Sequence, residues 1–277
     1  MTIRLMTKGS TAQRLVTDEL WELVEPLIPQ PRPRRRGLRT GRPRVPDRAV
    51  LAGIVFVLST GISWNDLPAE LGCGSGTTCW RRLRAWPRAG VWQQLHRVVL
   101  DRLGQNGVLD WSRAAVDSVG VRARRGGEVT GPSPTDRGKA GSKYHLPCDR
   151  NGIPLHVLIT GANTHDSRML TALLDTNPGV RERAGRPRRR PEKLHADKGY
   201  DYPRCRRYLS RRGIGVRIAR RGIEDSSRLG RVRWVVERTM AWLLSFRRLA
   251  LRYDRSRVTI EALLSLACTL ICLRRLP

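Results

Sequence analysis

The spacing of apolar residues changes near residue 105. Before that point they recur at helical intervals. The stretch Thr17-Asp18-Glu19-Leu20-Trp21-Glu22-Leu23-Val24 opens with a capping threonine and early acids, which predicts a helix that runs into Pro26 and Pro29. Residues 47–60 follow Pro46 and are apolar on most faces, so a buried helix is expected there. Residues 64–71 predict a short helix ending at Gly72, and residues 75–86 a helix capped by Ser75 and stopped by Pro87. A further amphipathic helix is expected over 91–103, closed by Gly104.

Beyond Asp110 the pattern becomes strand-like. Residues 113–121 read as a strand, and 126–141, rich in Gly, Pro, Thr and Arg, as a loop. Strands over 143–148 and 153–160 flank the turn Asp149-Arg150-Asn151-Gly152 and predict a hairpin. A helix over 166–174, a basic loop over 180–191 and a strand over 194–197 come next. Then follow a helix over 202–212, a strand over 215–219, a helix over about 229–248 and a final apolar helix over 260–273. Strands followed by alternating helices and strands imply an α/β domain with a mixed sheet. Four segments result: an N-terminal helix (1–28), a basic Pro/Arg linker (29–46), a helical domain (47–105) and the α/β domain (106–277).

Charge changes this picture most. Lysine and arginine total 53 against 24 acids, a formal charge of +29. Such an excess points to a polyanionic partner, with nucleic acid leading. Only five bases are lysine, which leaves 53 − 5 = 48 arginines. Genome composition can explain the choice of arginine but not the net excess. The short helix, Gly-rich turn and helix over 64–86 are similar to a helix-turn-helix unit carrying Arg81, Arg82 and Arg84. Cys79, Leu83 and Trp86 would face the core, and Thr77, Thr78, Arg81 and Arg84 a DNA groove. A helical bundle with a solvated arginine face is the plainer alternative.

The six cysteines lack C-x2-C spacing, so neither a zinc site nor a disulfide framework is expected. The N-terminus has no apolar signal core, and the longest apolar run, 49–58, falls short of the roughly 20 residues that span a bilayer. The expectation is a soluble cytoplasmic protein with no membrane partner. No Walker loop, G-x-G-x-x-G or Ser–His–Asp order is present, so nucleotide cofactors and acyl transfer have no support.

Against this basic background three acids matter. Asp117 and Asp197 each end a short apolar run, and Glu237 lies within a helical stretch. Hard carboxylate oxygens converging from separate elements can hold divalent ions against a phosphodiester. Arg233 lies one turn before Glu237 on the same face. It would bind a DNA phosphate, steady Glu237, or form a plain surface salt bridge. Trp234, Arg238 and Trp242 form a second row, open to stacking or to packing. Asp166 follows a strand and could lie near the site, but a helix-capping role for Asp166 or Ser167 is preferred. His195 shares a strand face with Asp197 and would touch substrate or simply pack, and Asp149 is best explained by its turn.

At these residues the chain resembles transposases of the IS5 family of insertion sequences. The resemblance runs through Gly41-Arg42-Pro43, Gly61-Ile62-Ser63-Trp64-Asn65-Asp66-Leu67-Pro68, Val116-Asp117-Ser118 and residues 131–145. It continues through Gly152-Ile153-Pro154-Leu155, Ala162-Asn163-Thr164-His165-Asp166, Ala196-Asp197-Lys198-Gly199-Tyr200-Asp201 and residues 233–242. It implies an RNase H-like fold with a DDE triad at Asp117, Asp197 and Glu237, loaded with magnesium or manganese. It further implies cleavage at terminal inverted repeats, strand transfer into target DNA, and a homo-oligomer on double-stranded DNA. Arg233, Arg238, Lys143 and Lys198 join the helical arginines as candidate DNA contacts. The family's helix signature is met only in part, since Gly230 stands at its tyrosine place and Leu244 at its lysine place; Arg247 or Arg248 would have to substitute. The alternatives are a DNA-binding protein without catalysis and a nuclease that cuts without joining.

Overall fold

The computed structural model describes residues 11–30, 43–222 and 226–277. Most of the expected basic linker, with Gly41 and Arg42, lies outside the described residues. The N-terminal part is helical: α1 (Thr11–Leu15), α2 (Asp18–Val24), α3 (Asp47–Thr60), α4 (Gly76–Ala85) and α5 (Val91–Gln105). Two caps are the expected ones. The Thr17 hydroxyl accepts the Leu20 N–H, and the Ser75 hydroxyl accepts the Thr78 N–H.

Two expectations need correction. Residues 64–71 form two 3₁₀ turns, Trp64–Asp66 and Ala69–Leu71, rather than one short helix. Pro68 is the cause, because it lacks an N–H and pushes Leu67 into extended backbone (ψ 121°). The first half of the expected helix-turn-helix is therefore not an α-helix. Gly76 pins this turn to α4, since a Cβ there would lie 1.6 Å from the Trp64 carbonyl oxygen. Second, α5 continues through Gly104 to Gln105. Gly104 is there for close approach, as a Cβ would meet the Arg181 carbonyl at 2.5 Å.

The C-terminal part contains one mixed sheet. Its strands are β1 (Ala114–Arg122), β2 (Gly131–Pro132), β3 (Ala140–Asp149), β4 (Leu158–Gly161), β5 (Lys193–Ala196) and β6 (Gly215–Ile218). The order is β2-β3-β1-β5-β6, with β4 also on β3. β1 runs antiparallel to β3 and parallel to β5, and β5 runs parallel to β6. Helices α6 (Asp166–Asp175), α7 (Pro203–Arg211), α8 (Ser226–Ser245), α9 (Arg247–Ala250) and α10 (Arg257–Leu273) complete it. This is an RNase H-like α/β arrangement. The expected hairpin exists, but its second strand begins at Leu158, not Ile153. Asp149 Oδ1 instead gathers the N–H groups of Asn151 and Ile153, which anchors the turn.

Strand periodicity divides the core in two. Ala114 and Val116 of β1 pack with Leu170, Leu173, Leu194 and Leu209 beneath α6 and α7. Ala115 and Val121 point the other way, into a larger core shared with α3, α5, α8 and α10. That larger core is continuous from the N-terminal helices into the α/β part. A buried ion pair ties the two together. Arg248 donates to both Asp254 carboxylate oxygens (2.7 and 3.1 Å) and to the Ile62 carbonyl (2.9 Å). The Trp64 indole N–H reaches the same carboxylate at 3.2 Å.

Removing one partner of such a pair strands the other without water. Asp254→Ala is therefore expected to lower unfolding free energy by about 3–5 kcal/mol, read from urea unfolding; a change below about 1 kcal/mol would contradict it. Burial raises the Asp149 carboxyl from 3.8 to about 6, against three backbone N–H donors that pull it down. Its folded value lies above its unfolded one, so its contribution to stability is full below about 3.8 and lost as pH rises through about 6. Asp149→Asn should flatten the dependence of unfolding free energy on pH between these values. Parallel wild-type and variant profiles would refute the shift.

Candidate active site

The parallel register of β1 and β5 pairs Ala114 with Leu194 and Ala115 with His195. Two residues further on, the same offset sets Asp117 level with Asp197, just past the end of β5. Neighbouring strands lie about 4.8 Å apart. The Asp197 charge is felt at Asp117: burial raises the Asp117 pKa, the Ser118 N–H and the Arg233 guanidinium pull it down, and Asp197 pushes it up again. The Asp117 carboxylate accepts the Ser118 N–H at 2.8 Å and Arg233 Nη2 at 3.2 Å. The Asp197 carboxylate caps the 3₁₀ turn Lys198–Tyr200 by accepting the Gly199 N–H at 2.9 Å.

Alternation along β1 sends Asp117 and Ser118 to opposite faces. Asp117 meets α8, and Ser118 meets α6. On the α6 side the Ser118 hydroxyl donates to Asp166 at 2.7 Å, and Lys143 Nζ lies 3.0 Å from the same carboxylate. The capping role assigned to Asp166 or Ser167 is thus a misreading. His165 caps α6, its Nδ1 accepting the Ser167 N–H, while Asp166 turns back toward the sheet. A histidine acceptor two residues before its donor is not among the common caps, which is why the sequence pattern favoured the acid. Lys143 also donates to the Thr164 carbonyl at 2.9 Å, so its ammonium is held at the sheet. His145 is buried beside Asp166, and desolvation lowers its pKa to about 4.

Tyr200 was missed by the sequence reading. It is fully buried, and its hydroxyl has no hydrogen-bond partner. Burial, then the charges of Asp166, Asp117 and Asp197, raise its pKa well above the usual phenol value. The phenol thus stays protonated next to three carboxylates. Its place within the motif Asp197-Lys198-Gly199-Tyr200 was the one available signal. His195 lies among Arg113, Arg217 and Lys193, with its pKa lowered by burial to about 4.

Helix α8 presents Glu237. Arg233 stands between the acids, 3.2 Å from Asp117 and 3.8 Å from Glu237. The closer partner is the strand aspartate, so the arginine is more than an i,i+4 surface pair. Glu237 is 59% exposed at its side chain. Along the adjacent row Arg238 stacks between Trp234 (4.5 Å) and Trp242 (4.6 Å), and Arg275 covers Trp242. Trp234 remains 48% exposed. The surroundings of Gly230 lie outside the described side chains. Arg248 is buried on Asp254 and cannot take the place of the missing lysine, whereas Arg247 is exposed.

On α4, Cys79, Leu83 and Trp86 are buried as expected. Arg81 and Arg84 are exposed, but Arg82 is paired with Asp47 at 2.6 Å. Lys198 is half-buried beside Asp197. Among the described residues, no three His, Cys, Asp or Glu side chains are grouped to hold an ion by themselves. The donor chemistry still suits a hard divalent cation: two carboxylates at one level, one of them desolvated, with the Arg233 guanidinium as a counter-charge. Among the described residues, no helix is long and apolar enough to cross a membrane.

Comparison with known proteins agrees with this architecture. A family model described as "Transposase DDE domain" matches residues 111–272, and one described as "Putative transposase of IS4/5 family" matches residues 16–96. The "Putative transposase for insertion sequence element IS402" of Burkholderia cepacia is 49% identical over 153 residues, covering 55% of this chain and 72% of that protein. The "Insertion element IS402 uncharacterized 16.2 kDa protein" of the same organism is 54% identical over 123 residues, covering 44% of this chain and 83% of that one. Members of this family act on DNA and depend on a divalent metal. The mixed sheet, the helical N-terminal part and these matches together make the chain a member of the DDE transposase family of insertion sequences.

Proposed function

We propose that this transposase is of the IS5 type, cleaves DNA at the ends of its element and joins the freed 3′-hydroxyl to target DNA, with Asp117, Asp197 and Glu237 as its catalytic triad. The observation that carries this reading is the β1–β5 register, which levels Asp117 with Asp197 while α8 offers Glu237 through Arg233. Asp117, Asp197 and Glu237 would hold magnesium or manganese, which when bound activates the attacking oxygen and stabilises the leaving one. Arg233 neutralises the Asp117 carboxylate before loading, and the exposed Glu237 side chain has room to turn toward the strand pair. Lys143 and Ser118 hold Asp166 on the α6 side of the sheet, beside Asp117.

Duplex DNA would lie across the exposed arginines. Arg81 and Arg84 on α4 and Trp234 on α8 are exposed for phosphate and base contacts, while Arg238 is stacked behind Trp234 and donates to the Asn151 carbonyl at 2.7 Å. Arg82, Lys143 and Lys198 would act more through the local structure than through direct phosphate contact. In this reading residues 47–105 help to grip the element end and residues 106–277 carry the chemistry. Bringing two ends together calls for a homo-oligomer on DNA.

Alanine at Asp117, Asp197 or Glu237 is expected to lower magnesium-dependent nicking of an element-end duplex on the order of 1,000-fold or more. DNA affinity should be unchanged or higher, because each substitution removes a negative charge. Nicking by Asp117→Ala at the wild-type rate would remove the triad assignment. Wild type that nicks but never joins pre-cleaved ends would be a nuclease. Binding without any nicking would leave a DNA-binding protein.

A further inference from the structure

A second site lies away from the acids, where the Gly61–Pro68 motif meets the start of α10. It is a cavity of about 590 Å³, within the roughly 300–1,000 Å³ of small-ligand sites. Trp64, Trp80 and Tyr253 supply aromatic walls. Guanidiniums lie against these rings: Arg248 against Trp64 and Tyr253 (5.7 and 5.6 Å), and Arg84 against Trp80 (4.7 Å). The lining carries three arginines, Arg125, Arg248 and Arg255, against one acid, Asp254. Asp254 is already bound by Arg248 and Trp64, so the charges of Arg125 and Arg255 are left over. Both of these side chains are exposed.

The floor is polar. Ser256 is the N-cap of the 17-residue α10 but makes no side-chain cap bond; the Glu128 carboxylate accepts the Arg257 N–H at 2.6 Å in its place. Thr259, in the first turn, is 1% exposed, and its hydroxyl is buried with no hydrogen-bond partner although the residue lines the cavity. A buried hydroxyl without a partner is costly and signals a missing acceptor. Two arginines and a hydroxyl donor together select a phosphate. Aromatic walls beside a phosphate site select a base.

We propose that this cavity receives one nucleotide of a DNA strand lifted out of its stack. The base lies against Trp64, Trp80 and Tyr253, and the phosphate is held by Arg125, Arg255 and the Thr259 hydroxyl. The inference rests on the DNA-binding reading above and extends it to a place outside the catalytic acids. Ala123, which bridges to Arg252 beside the cavity, lies six residues beyond Asp117 along the β1 direction. At about 3.3 Å per residue that is about 20 Å, or roughly six steps of 3.4 Å along one DNA strand. A strand cleaved at Asp117 can therefore reach this cavity.

The test uses the full chain and a single-stranded thymidine octanucleotide, read by tryptophan fluorescence and by affinity across a salt series. The Arg125→Ala/Arg255→Ala double variant should bind about ten-fold more weakly. Its log–log salt slope should fall by about 1.4, the value for two lost single-strand phosphate contacts. Arg97→Ala/Arg102→Ala removes the same charge from the exposed face of α5 and should stay close to wild type. Trp80→Phe should lose much of the fluorescence quenching while its circular dichroism stays native. Equal affinity and slope in the two double variants, or quenching unchanged in Trp80→Phe, would overturn the proposal and leave the transposase reading intact. Failure of the wild-type chain to bind either this oligonucleotide or duplex DNA would overturn both.

Discussion

Parallel hydrogen bonding between β1 and β5 is the constraint on which the proposed catalytic centre depends. Only two residue pairs, Ala114 with Leu194 and Ala115 with His195, form that ladder. They nevertheless set the level at which the following aspartates emerge. A slip of one residue would send Asp117 to the α6 face and Ser118 to the α8 face. The flanking helices secure the register from both sides, because Val116 and Leu194 pack beneath α6 and α7 while Ala115 packs toward α8. Strand pairing, two-sided burial and carboxylate placement are thus one arrangement seen at three scales.

Arginine serves two different purposes in this chain. Some guanidiniums are structural: Arg248 on Asp254, Arg82 on Asp47, and Arg252, 1% exposed and bonded to the carbonyls of Glu128 and Asp254. Arg233 is intermediate, holding Asp117 from α8. Others, such as Arg81, Arg84, Arg125 and Arg255, remain at the surface. A net charge of +29 therefore overstates the number of bases available to a polyanion. It also explains why the fold tolerates so much charge, since planar guanidiniums satisfy several carbonyls at once.

Most elements were legible in the sequence because their signals are local. Thr17 and Ser75 cap where expected, the runs ending at Asp117 and Asp197 form or adjoin strands, and α4 buries Cys79, Leu83 and Trp86. Apart from the turns that Pro68 imposes over 64–71, misreadings arose where a distant partner overrode a local signal. Gly104 looked like a helix stop but lies within α5, where the Arg181 carbonyl approaches too closely for a Cβ. Asp166 looked like a cap but is drawn away by Ser118 and Lys143, 48 and 23 residues distant in the chain. Arg82 and Lys143 looked like free cations until their partners came into view.

The sequence by itself determined the kinds of elements, their order, the basic character of the chain and its resemblance to a transposase family, because caps, periodicity and motifs are encoded over a few neighbouring residues. Only the tertiary structure decided which faces meet. It levelled Asp117 with Asp197, placed Arg233 between Asp117 and Glu237, brought the unpaired Tyr200 hydroxyl among the acids, and closed an aromatic cavity between Trp64 and Thr259. Register, burial and ion pairing depend on residues far apart in the chain, and their energies exist only once the core has excluded water.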